Sequence, residues 1–160
     1  MVVHSLECKR SEVAAANGLP PDWITDIEGA ELWALLQAVS VAMPGGCQYY
    51  TDWQPAVSAI HKGRSWATGE GRKHARVAAL IFAQIDDMGS EAFTWMPAHN
   101  TTGHIGVRRL GDGSRMQLKH KIGNDRADEL AKMALERHRV PWYIRLMYKQ
   151  HLQKVEDLAV

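Results

Sequence analysis

Four residues stand out as able to do chemistry together: Glu31, Asp52, His99 and Asp128. Three carboxylates and an imidazole can hold hard cations, carry protons and steer a water. Each must first be weighed against a local role. Glu28 has one, because Thr25 and Glu28 share the Thr-x-x-Glu spacing of a capping box. Glu31 sits one turn further in, among Ala30, Leu32, Ala34 and Leu35, where a bare carboxylate is costly to bury. Its plain alternative is a solvated glutamate at a cleft edge. Asp52 ends a strand-like segment and precedes a helix, so N-capping accounts for it when it is taken alone. In "IGNDRADELAKMA" (122–134), Asp125 falls in the first turn of a helix expected over 124–138, where a negative charge suits the helix dipole. Asp128 lies one turn deeper, on the side of Ala131, Leu135 and, less closely, Ala127, and has no such explanation. His99 closes "TWMPA", but it is one of eight histidines, and a lone histidine is more often structural than catalytic.

The elements that must carry these residues follow from pattern. Residues 1–19 read as one or two short extended pieces ended by "NGLPP". A helix is expected over 26–43, apolar almost all round and so covered on most sides, and closed by "PGG" at 44–46. "CQYYTD" is a short strand with Thr51 and Asp52 at its C-terminal end. A short helix follows from about Pro55 to Ile60, and a longer one from about Lys73 to Met88. "EAFTWM" is a second strand, since Phe93 and Trp95 favour pleated surfaces. "GVRRLGDGSRMQL" predicts a hairpin turning at Gly111-Asp112-Gly113. Pro141 divides the 124–138 helix from a C-terminal helical extension over 141–160. Strand–helix alternation with short links predicts an α/β domain over 1–140, with its site just past the C-terminal ends of strands.

Composition sets the outer bounds. A chain of 160 residues, 46% apolar and 23% charged, suits one domain with a real core. No run of eighteen apolar residues and no signal-like N-terminus occurs, so an intracellular protein with no membrane partner is expected. Cys8 and Cys47 fit free thiols packed in a reducing compartment. The net charge of +1 is unevenly spread. Residues 1–60 hold seven acids against two bases, residues 61–76 five bases against one acid, and residues 99–126 six bases against two acids. An acidic part beside basic segments fits cation ligands beside a polyanion track, and also fits solvated surface.

Taken in order, "AELWALLQAV" around Glu31, "YYTDWQPAV" around Asp52, "WMPAH" ending at His99 and "GNDRADELAKMA" around Asp128 resemble a type 1 ribonuclease H domain, of the kind found in cellular enzymes and retroelement polyproteins. The resemblance spans most of residues 12–138. It implies a ribonuclease H-like mixed sheet flanked by helices, and endonucleolytic cleavage of the RNA strand in an RNA/DNA hybrid. It makes Glu31, Asp52 and Asp128 three of four carboxylates that hold two Mg²⁺ ions, with Mn²⁺ as a substitute. His99 matches the family's mobile histidine, which assists the attacking water or product release. Two such ions about 3.5–4 Å apart activate water and stabilise the leaving 3′-oxygen during in-line attack. Lys62, Arg64, Arg72, Lys73 and Arg76, with Trp66 among them, correspond to a region that grips the nucleic-acid backbone in several relatives. Gln54 and Asn124 flank the site and could read minor-groove edges or the 2′-hydroxyl. The implied protein partner is an upstream reverse transcriptase domain.

Two departures shape the expectation. The family's fourth carboxylate is an aspartate on its first strand, and neither extended piece before Gly18 contains an aspartate. The chain is therefore expected to start near the family's second strand and to lack the usual first one. In addition, 28 residues lie between His99 and Asp128, where the family often has a much shorter loop. That basic insertion reads either as a substrate arm or as a displacement of His99 from the site. Two other functions stay open: an inactive remnant that binds nucleic acid or packs on a polymerase, and a polynucleotidyl transferase of the same superfold, against which the "GNDRADELA" helix speaks.

Overall fold

The structure, a computed structural model, describes residues 2–3, 14–41, 47–85 and 89–158. The expected stop at 44–46, the end of the 73–88 helix and Cys8 lie outside them. Strands β1 (Val2–Val3) and β2 (Ala14–Ala15) form an antiparallel pair. Helix α1 (Ile27–Val41) follows, then β3 (Tyr49–Thr51), α2 (Gln54–Lys62), α3 (Arg64–Ala67) and α4 (Ala75–Ile85). Next come β4 (Phe93–Trp95), α5 (Leu118–His138) and α6 (Trp142–Leu158). The fold is mixed α/β and mostly helical. β3 and β4 pair in parallel, with Tyr49 opposite Phe93 and Thr51 opposite Trp95. Among the described residues the two strand pairs are separate sheets.

The core forms where α1 and α4 pack together and against the parallel pair. α1 buries Leu32, Leu35, Leu36 and Val39, the i, i+3, i+4, i+7 stripe of an amphipathic helix. Its other side stays open, with Ile27 and Val41 exposed. The expectation of a helix covered on most sides is thus corrected: α1 is covered along one face. α4 answers with Val77, Ala78, Ile81, Phe82 and Ile85. Tyr49 and Phe93, opposed in register, stack at 4.8 Å between ring centroids, a cross-strand aromatic contact that fixes the pairing of β3 with β4.

Two helix starts differ from expectation. The cap of α1 is Asp26, whose Oδ1 accepts the Gly29 amide at 2.7 Å. A side-chain oxygen three residues ahead of that amide does what the Thr25–Glu28 box was expected to do, and leaves Glu28 facing Lys73 and His74. α5 begins at Leu118, six residues before the expected 124. Leu118, Lys119 and Lys121 are good helix formers, and Gly123 is tolerated inside a long helix. Asp125 is therefore an interior residue two turns in, ion-paired with Lys121 one turn back. The dipole explanation for it is withdrawn.

Candidate metal and nucleic-acid site

β3 ends at Thr51, and its last carbonyl accepts the Met96 amide at 2.9 Å. The Trp95 indole N–H donates to the Asp52 carbonyl at 3.0 Å. Asp52 is thus fixed through its backbone while its residue stays exposed. It does not cap the helix that follows: α2 has Trp53 at its N-cap with no side-chain cap bond, and the Trp53 amide is taken by Thr51 Oγ1 at 3.2 Å. The local role that accounted for Asp52 in the sequence is absent, and its carboxylate is left for another use.

Glu31 is half-buried on α1. Burial holds its carboxyl above the ordinary glutamate value, and the negative charges of Asp52 and then Asp128 push it further up. Asp52, past the end of β3, and Asp128, on α5, thus both bear on Glu31 of α1, although 96 residues lie between Glu31 and Asp128. The start of α5 reaches β3 through His120, whose buried ring lies 4.7 Å from that of Tyr50. Burial lowers the affinity of this imidazole for a proton, as does neighbouring Lys119. Along α5 the buried residues are His120, Leu130 and Ala134. Asp128 is exposed beside that stripe, and Leu135 is 64% exposed. The expected apolar setting of Asp128 is corrected, since it stands at the open edge of α5.

Among the described residues, the group whose metal-ligating atoms all lie within 4.8 Å of one another is Asp26, Glu28 and His74. This group could hold a metal ion, but it already holds protein cations. Lys73 Nζ is 3.1 Å from Asp26 Oδ2, and the other oxygen of Asp26 accepts the Gly29 amide. That amide, followed by Lys73 and His74, holds the Asp26 carboxyl below its ordinary value. The cluster is explained as the joint between the starts of α1 and α4. Glu31, Asp52 and Asp128 are not drawn together as closely as that set. Their chemistry also differs, because they offer hard oxygen donors only. Donors of that kind suit hard cations in general.

Of the other expected site residues, Gln54 is exposed at the first position of α2, two residues past Asp52. Asn124 is half-buried on α5, one turn before Asp128. Lys62 and Arg72 lie over the Trp66 ring, at 4.2 Å and 3.6 Å from its centroid. Arg64 opens α3 in the same exposed patch. Lys73 stands apart, tied to Asp26 and Glu28. Arg76 lies over Trp23 at 4.4 Å. His99 is exposed in a left-handed conformation, φ +52°. The role of Asp26 was not read from the sequence, although Asp three residues before Gly29 in "TDIEG" is an ordinary capping signal.

Comparison with protein-family models, curated proteins and solved structures finds no match. Among the described residues, no helix is long and apolar enough to cross a membrane.

Proposed function

We propose that this chain is a ribonuclease H-like domain that hydrolyses the RNA strand of an RNA/DNA hybrid, using Mg²⁺ held by Glu31, Asp52 and Asp128. The observation that carries the reading is the raised carboxyl of Glu31, which answers to both Asp52 and Asp128. Two negative charges acting on a half-buried third carboxylate cost stability, and a divalent cation offsets that charge. The ions would supply an activated water and a stabilised 3′-oxygen leaving group.

The chain's own residues do the rest. Asp52 is held by Trp95 and exposed toward substrate. Asp128 stands at the open edge of α5, and Glu31 closes the half-buried back of the site. Gln54 and Asn124 lie close in sequence to Asp52 and Asp128, where hydrogen bonds to a 2′-hydroxyl separate RNA from DNA. The Lys62–Trp66–Arg72 stack offers two cations and an aromatic face to a backbone. Mn²⁺ serves in place of Mg²⁺, and a reverse transcriptase domain is the proposed covalent or docked neighbour.

The second reading is a nucleic-acid-binding module without cleavage. It is favoured by one observation: among the described residues β3 pairs only with β4, and no fourth acid acts on Glu31. Incubation of the protein and Mg²⁺ with a hybrid labelled on its RNA strand separates the two. Cleavage that requires Asp52 supports the enzyme, and binding without cleavage supports the module.

A further inference from the structure

His99 sits at the exit of β4, where the segment 101–117 folds into a small lobe. The lobe has its own core, built from Met96, Leu110 and Met116 with Ile105 against them. Its two sides are joined by Gly106 N–H to Met116 O (2.8 Å), Met116 N–H to Arg108 O (2.8 Å) and Leu110 N–H to Ser114 O (2.9 Å). It docks on β4 through Gly111, whose amide donates to the Trp95 carbonyl at 2.7 Å. A methyl group on Gly111 would lie 3.2–3.3 Å from the Trp95 backbone and Cβ, so this approach is tight for any larger residue. The basic insertion is thus an ordered body fixed to the strand.

From this body one side chain reaches back. Arg108 Nη1 donates to the carbonyl of Ala98 and to Oδ1 of Asn100, each at 3.2 Å. These are the two residues that flank His99. Asn100 is buried at 8% exposure, and its amide nitrogen donates in turn to the Pro97 carbonyl. Residues 97–100 are closed on themselves, and the backbone of His99 between the two anchors takes φ +52°. A side chain with a Cβ rarely adopts that region, because the Cβ meets the following carbonyl oxygen. Such a conformation persists only where its surroundings over-determine it. The outcome of these contacts is a backbone turn held in place, from which the exposed imidazole of His99 projects.

We infer that Arg108 is a positioning residue for the hydrolysis, acting by clamping Ala98 and Asn100 so that His99 is presented at the carboxylate site, and that the 101–117 lobe exists to hold this clamp. The inference rests on the hybrid-hydrolase reading given above. Arg108 touches no substrate in this role. Removing it loosens His99 without weakening the grip on nucleic acid, and small misplacements of a reacting group cost rate far more than affinity.

The test is a double-mutant cycle on hybrid cleavage, with melting curves to check folding. Arg108→Ala lowers kcat by about tenfold or more while KM stays within about twofold. Arg108→Lys recovers part of the loss, because an ammonium can donate to the same two oxygens. In a His99→Ala background, Arg108→Ala has no further effect, since both changes remove the same contribution. Wild-type kcat in folded Arg108→Ala, or an undiminished further loss in the His99→Ala background, overturns the inference. If the unaltered protein cleaves no hybrid, the hydrolase reading fails instead. The clamp is then judged by NMR: the HN–Hα coupling and Cα shift of His99 report its left-handed φ. Loss of that signature in Arg108→Ala upholds the clamp, and its retention refutes it.

Discussion

Burial and the charges of Asp52 and Asp128 raise the carboxyl of Glu31, so the folded protein holds that proton to a higher pH than the unfolded chain does. Between the two values the folded state binds more protons, and stability falls as pH rises through the window. Above the window the full penalty is present. Glu31→Gln removes the charge and keeps the shape. In EDTA at pH 7 it is expected to melt at a higher temperature than the unaltered protein, and to lose hybrid cleavage. An equal or lower melting temperature would show that Glu31 is not strained by its neighbours. Asp125 provides the contrast. With Lys121 as its i, i+4 partner and half its own side chain in water, Asp125→Ala should cost only about 0.3–0.5 kcal/mol in denaturant melts and leave cleavage unchanged. At this scale the sequence read a local role for Asp125 and none for Asp128; the structure gives Asp125 a different local role, its pair with Lys121, and places Asp128 exposed on α5. The sequence misjudged the explanation, because the start of α5 depends on how His120 packs under Tyr50, an arrangement that no periodicity reports.

The parallel pair is the element that carries Asp52. Phe93 is 2% exposed and stacked on Tyr49, so Phe93→Ala removes both a core side chain and the aromatic stack that sets the register. It should cost about 3–5 kcal/mol by chemical denaturation and carry Asp52 out of place. Both strands were legible, since Phe93, Trp95 and the Tyr49–Tyr50 pair are strong strand formers. α2 was legible from Pro55, and the turn at 111–113 from its glycines, which return the chain as the Arg109–Arg115 bridge. α3 was not, because "RSWA" is too short to show a period. The lobe around Met116 was also hidden. Its core joins Met96 on one side of the loop to Leu110 and Met116 on the other, and pairing of that kind leaves no local pattern in a sequence.

At the scale of the whole molecule, charge and aromatic placement set how a polyanion would lie. The near-neutral total hides a face on which Lys62 and Arg72 share Trp66, with Arg76 over Trp23 beyond it. If this face grips a backbone, replacing Lys62 and Arg72 with Ala should flatten the dependence of log affinity on log salt, by about 0.9 for each duplex phosphate that is no longer neutralised. An unchanged slope would assign those residues to solubility. The acidic and basic blocks were visible in the sequence, whereas the stacking on Trp66 required the turn at Gly63, φ +86°, to bring Lys62 near it. The central claim is that three acids distant in sequence form one Mg²⁺-dependent hydrolytic site. Its most direct measurement is cleavage of a hybrid labelled on its RNA strand, by the unaltered protein and by Asp52→Asn, with Mg²⁺ and with EDTA. The account predicts RNA-strand cleavage with Mg²⁺ that EDTA abolishes and Asp52→Asn reduces by about a hundredfold or more. Cleavage by Asp52→Asn at the unaltered rate would contradict it, as would no cleavage by a folded, hybrid-binding protein.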